Sequence, residues 1–141
     1  MSMFASVALR ESGHQSLPKE MDPAGEGLDY GQSLPYAAEA LDALARGLGV
    51  LPISTYFDDS EMLSDEERAE VGLPPAETKW CDPQAGLKSV RALVAKLEEE
   101  DPTKSLHPRA PVAAVLWDLK AARIILEGAV NRGEAFHISV G

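Results

Sequence analysis

DPQAGLKSVRALVAKLEEEDP, residues 82–102, is the stretch that decides the fold class. Asp82 is a natural N-cap, because its carboxylate can accept from the free N–H groups of a first helical turn. Pro83 fits the position after it, where a fixed helical φ helps and a missing N–H is no loss. Leu87, Val90, Leu93, Val94 and Leu97 then recur at three- and four-residue steps, laying one apolar stripe along a helix until Asp101-Pro102 stops it. Arg91, Lys96, Glu98 and Glu99 fall off that stripe and face solvent.

The same periodicity marks a longer helix from near Pro111 to Gly133. Val112, Val115, Leu116, Leu119, Ala122, Ile125, Leu126 and Ala129 repeat at helical steps, and Trp117, Ala121 and Ile124 widen the apolar surface. A surface that wide implies burial on more than one side, so this is the expected central helix. Upstream, Pro35 opens a helix over 35–48, with Tyr36, Ala37, Ala40, Leu41, Leu44, Ala45 and Leu48 in step before Gly49. Ser64-Asp65-Glu66-Glu67 is a capping box and starts a short, exposed, acidic helix that ends before Gly72.

The two ends of the chain change period. Met3, Ala5, Val7 and Leu9 alternate with Phe4, Ser6 and Ala8, and Phe136, Ile138 and Val140 alternate with Ala135, His137 and Ser139. A two-residue period is that of a strand with at least one buried face. Two terminal strands bury little alone, so they are expected to pair with each other, or with a strand hidden in the apolar run Val50 to Phe57 that Pro52 interrupts. Between strand and first helix, residues 10–34 collect Gly13, Pro18, Pro23, Gly25, Gly27 and Gly31 and read as one long loop, a length that marks functional or mobile segments. The expected fold is therefore α+β: a small sheet of N- and C-terminal strands packed against a single layer of three to four helices, with residues 1–141 as one globular domain.

Composition narrows the function. The chain has 141 residues, 45% of them hydrophobic, which suits one ordinary core. No apolar run approaches a membrane span, and the N-terminus lacks the pattern of a signal peptide, so a cytoplasmic protein is expected. Twenty-three acidic against 13 basic residues give a formal charge of −10. That charge repels a phosphate backbone or an anionic membrane but complements a basic protein surface.

Chemical candidates are sparse. Asp58, Asp59 and Glu61 put three carboxylates in four residues, but the spacing fails that of a calcium loop, and acids near a helix N-terminus explain it more simply. His14, His107 and His137 form no metal-ligand pair on one helix, and of the three only His137 is expected on a rigid element, half exposed. Cys81 could act as a nucleophile if a histidine lowered its pKa, yet beside Trp80 it reads as packing. Tyr56 and Trp80, with Tyr30, Tyr36 and Phe57, could line a pocket or fill a core. No glycine-rich phosphate loop or nucleophile elbow is present, and no metal or cofactor is expected.

Trp80-Cys81-Asp82-Pro83, followed by Gly86-Leu87 and Val90-Arg91-Ala92-Leu93, resembles a segment of a group of small, acidic, uncharacterised bacterial proteins. There a Trp-x-Asp-Pro approach leads into a helix of the form Gly-Leu-x-x-Val-Arg-Ala-Leu. The likeness runs loosely over residues 36–140. It implies no activity, and the motif makes sense as architecture: an indole anchoring the approach to a capped helix.

Two functional expectations follow. The first is a non-enzymatic protein-interaction module with an acidic surface, an immunity- or antitoxin-like protein being one form of it, with self-association as a further option. The second is a small-ligand site or a cysteine/histidine enzyme using Cys81, His137, Asp58 and Asp59. Asp58, Asp59, Glu61, Tyr56, Trp80, Cys81 and His137 are the candidate surface or pocket in either case.

Overall fold

The computed structural model of the chain describes residues 3–60 and 62–141. In chain order its elements are β1 (Ala5–Leu9), β2 (Gly13–His14), α1 (Leu34–Leu48), a 3-10 turn (Ile53–Tyr56), β3 (Phe57–Asp58), α2 (Asp65–Glu70), α3 (Pro83–Glu98), β4 (Ser105–His107), β5 (Ala110–Pro111), α4 (Val112–Arg132) and β6 (Phe136–Val140). The architecture is α+β, as the periodicities predict. β1 and β6 pair antiparallel at the centre of a sheet ordered β2-β1-β6-β3, with Val7 opposite Ile138 and Ala8 opposite His137. β3 adds to β6 in parallel, so both pairings open to the terminal strand occur together.

The alternation in β1 and β6 explains the layering. Ala5, Val7, Leu9, Phe136 and Ile138 face the helices and join one core, while the intervening residues form the outer face. α3 and α4 supply the bulk of that core, with Val90, Leu93, Leu97, Leu119 and Leu126 wholly buried. A buried Leu contributes roughly 1.5–3 kcal/mol relative to exposure, which is why two matched stripes suffice to hold the pair. Asp82 caps α3 as its sequence position predicts, its carboxylate accepting from the Gln84 N–H at 3.0 Å. The capping box at Ser64 and Glu67 is formed in both directions, and α2 buries none of its residues.

Two elements depart from expectation. Residues 10–34 contain a short strand, β2, and are pinned at several points rather than forming one featureless loop. The Glu134 carboxylate accepts from the N–H groups of Glu11 and Ser12 and from the Ser12 hydroxyl, and Asp22 accepts from the N–H groups of Glu26, Gly27 and Leu28. Burial would push the Glu134 carboxyl up, but Ser12, Arg132 and Glu11 outweigh it and hold the group at about 2. Residues 105–111, which carry no strand-like alternation, form the β4–β5 hairpin beside α1.

Two glycines are required by close approach. Gly31 lies at φ 89°, and a Cβ there would fall 1.6 Å from the Ala5 carbonyl oxygen. At Gly86 a Cβ would fall 2.2 Å from the Phe136 ring, so the first turn of α3 rests directly on β6.

Candidate functional site

The register of the sheet gathers Ser6, His14, Asp58, His137 and Ser139 on the face away from the helices. Trp80 lies over this face, its ring 4.6 Å from that of His137. His137 is only 3% exposed, a correction to the half-exposed position expected for it. Alternation alone could not anticipate an indole folding back over the outer face. Neither His137 ring nitrogen meets a hydrogen-bond partner among the described residues.

Asp58 is also buried, and its carboxylate is occupied by the N–H groups of Ser60 and Lys79. Burial pushes that carboxyl up, but Ser60, the Lys79 N–H and the nearby His137 together hold it below the usual carboxylate range. The acidic run therefore closes a turn after β3 rather than starting a helix, a second correction. Asp59 is exposed, and Glu61 lies outside the described residues.

Cys81 pairs with Phe136 through both backbone groups, which turns its side chain toward the helix face. Burial pushes its thiol up, and Asp58 adds to that against the pull of Lys79. Nucleophilic use requires the opposite displacement. Tyr56 is core: its hydroxyl meets that of Ser89 at 3.0 Å and its ring tilts against Phe136. The structure thus brings Asp58, Trp80, Cys81 and His137 into one neighbourhood, while Tyr56 lies beneath it and Asp59 points to solvent.

Sequence reasoning passed over three other places. At the start of α1, the buried carboxylate of Asp118 accepts from the N–H groups of Gly31, Ser33 and Leu34 at 2.8–3.0 Å. It replaces a local cap, since Ser33 makes none with its own side chain. Burial pushes the Asp118 carboxyl up against the pull of those three donors. The signal for it was legible, because Asp118 sits on the apolar stripe of α4 between Val115 and Ala122. A cavity of roughly 360 Å³ beside it is walled by Trp117, Tyr30 and Asp29, but the carboxylate is already spent on the helix start.

The second place is a surface cluster at the β4–β5 hairpin. The Tyr36 hydroxyl accepts from the Met3 N–H and from the Arg109 guanidinium, and the Tyr36 ring stacks on His107 at 5.5 Å. The third is an apolar groove of roughly 430 Å³ between α1, the end of α3 and the hairpin. Ala40, Ala43, Leu44 and Leu106 form its walls, and Leu97 and Val112 its floor.

Among the described residues no three His, Cys, Asp or Glu side chains gather as a metal site, and no helix is long and apolar enough to cross a membrane. No protein-family model matches the chain, and no significant similarity to a curated protein or to a solved structure was found.

Proposed function

We propose that the chain is a non-enzymatic protein-interaction module that binds a cationic partner protein, rather than nucleic acid or membrane, through its acidic surface. The observation that carries this reading is the open, largely apolar groove between α1, the end of α3 and the β4–β5 hairpin, set in a chain of formal charge −10. Concave apolar surface with a charged surround is what partner binding uses. The reactive groups favour the same reading, since the Cys81 thiol is pushed away from thiolate and the Asp58 carboxylate is consumed by backbone donors.

The test is affinity purification of the tagged chain from its native source after mild cross-linking, at low and high salt. A specific basic protein, recovered at low salt and lost at high salt, is the expected result. The reading fails if no partner is enriched while a small molecule raises the melting temperature of the wild type and not of His137→Ala. That outcome would favour a ligand site under Trp80, where the His137 ring nitrogens are unpartnered.

A further inference from the structure

Tyr36 and Arg109 wall a cavity of roughly 330 Å³ beside the start of α1, which Met3, Phe4, Gln32 and Ser33 complete. In a chain of 23 acidic against 13 basic residues, this lining holds one cation and no acid. The Arg109 guanidinium lies 5.3 Å over the Tyr36 ring and donates to the Tyr36 hydroxyl at 3.0 Å. No carboxylate among the described residues pairs with it, so the rest of its donor fork is uncommitted. The group is also held in place: the Arg109 backbone N–H donates to His107 Nδ1 at 3.0 Å, and His107 stacks on the Tyr36 ring at 5.5 Å. A guanidinium fixed beforehand loses less freedom when it binds.

Two hydroxyls add donors of the same sense. The Tyr36 oxygen accepts from the Met3 N–H and from Arg109, which leaves its own proton to donate. Those contacts, Met3 foremost, hold the phenol below its ordinary range and strengthen it as a donor. Ser33 is only 7% exposed, yet its hydroxyl neither caps α1 nor meets another partner among the described residues. A hydroxyl that buried is ordinarily paired, so its partner is to be sought in the cavity it lines. Phe4, 48% exposed, and Met3 offer carbon surface on the same wall.

We infer that this cavity binds the carboxylate of a small organic acid, its oxygens taken by the Arg109 fork and the Tyr36 and Ser33 hydroxyls, its carbon body lying against Phe4 and Met3. Bidentate pairing with a planar carboxylate is what the guanidinium geometry favours. The neighbourhood also limits the charge that fits. Behind Ser33 the Asp118 carboxylate accepts the Ser33 N–H at 3.0 Å, and the chain carries −10, so a doubly charged phosphate meets more repulsion than a carboxylate. The site shares no lining residue with the groove between α1 and the hairpin and does not rest on the interaction reading.

The probe is benzoate, titrated into the isotope-labelled full chain and read by backbone amide and Arg109 Nε–H chemical shifts, with benzamide as the uncharged isostere and phenyl phosphate as the dianion. Benzoate is expected to bind with a Kd of about 1 mM, the scale of a fragment, and at least about tenfold more tightly than benzamide, moving the signals of Gln32, Ser33 and Arg109. Arg109→Lys keeps the charge but loses the fork and should weaken binding about tenfold. Ser33→Ala removes a hydroxyl that caps nothing and should weaken it about fivefold at an unchanged melting temperature. Arg109→Gln should abolish binding, whereas Lys88→Gln, the same loss of charge on α3, should change it less than about twofold. Melting temperatures of all variants confirm that they fold.

Equal binding of benzamide, shifts scattered over the surface, or an equal loss in Lys88→Gln would reduce the effect to unspecific contact and overturn the site. So would no binding of any of the three compounds, or full binding by Arg109→Lys. Phenyl phosphate binding more tightly than benzoate would overturn the assignment of a carboxylate.

Discussion

Replacing Asp118 by alanine removes the acceptor for three buried N–H groups at once, those of Gly31, Ser33 and Leu34. A buried donor left unpaired costs about 1–3 kcal/mol, so the gross loss is several kcal/mol. Two effects reduce it. The variant no longer buries a carboxylate, a burial costly enough to push the carboxyl above its ordinary range, and water can reach part of the start of α1. The net expectation is about 3–5 kcal/mol, the range found when one partner of a buried charged interaction is deleted. Unfolding entropy of about 2.1 cal/mol/K per residue gives roughly 0.3 kcal/mol per kelvin for a chain this long, so the melting temperature should fall by roughly 10–17 °C. Calorimetry at neutral pH measures it, and urea titration should show a lower midpoint with an unchanged slope. A fall of less than about 3 °C would mean that the three donors find water without loss, and the capping role assigned to Asp118 would be refuted.

Glu134 gives a signed pH prediction. Its carboxyl sits at about 2 in the folded chain against an ordinary value of 4.5, so its contribution is present above the ordinary value and lost as pH falls toward 2. The stability difference between wild type and Glu134→Gln should therefore be full at neutral pH and shrink across that window; a difference that is flat with pH refutes it. Gly86→Ala should destabilise by about 1–3 kcal/mol through collision with the Phe136 ring, and Phe136→Leu should relieve it, so that the double variant is more stable than the two single losses added. Additive losses would show that the contact is not the cause.

What could be read before folding was whatever one element announces in its own sequence. The stripe from Leu87 to Leu97, the Asp82 cap and the alternation of residues 136–140 each depend on local period, and each appears where expected. Features made by two distant segments were not legible in that way. His137 is buried because Trp80, far upstream, lies over it, and nothing around residue 137 announces that. Asp58 read as an acid at a helix start because its acceptor role depends on the N–H of Lys79, across an intervening helix. The β4–β5 hairpin escaped because a strand of three residues has no period to detect. Asp118 is the instructive middle case: a lone acid on an apolar stripe is a visible contradiction, and the start of α1 resolves it.

The pairing of β1 with β6 also orders the folding reaction. Every helix described lies in the chain between those two strands, so closing the sheet means closing almost the whole polypeptide into a loop, an entropic cost that is met only once much of the intervening chain is already condensed. α3 and α4 follow one another through the β4–β5 hairpin and pack on each other, so they can assemble through nearer contacts first. The seam between the first and last strands thus acts as a latch that shuts late, and substitutions along it should register chiefly in how fast the native state opens.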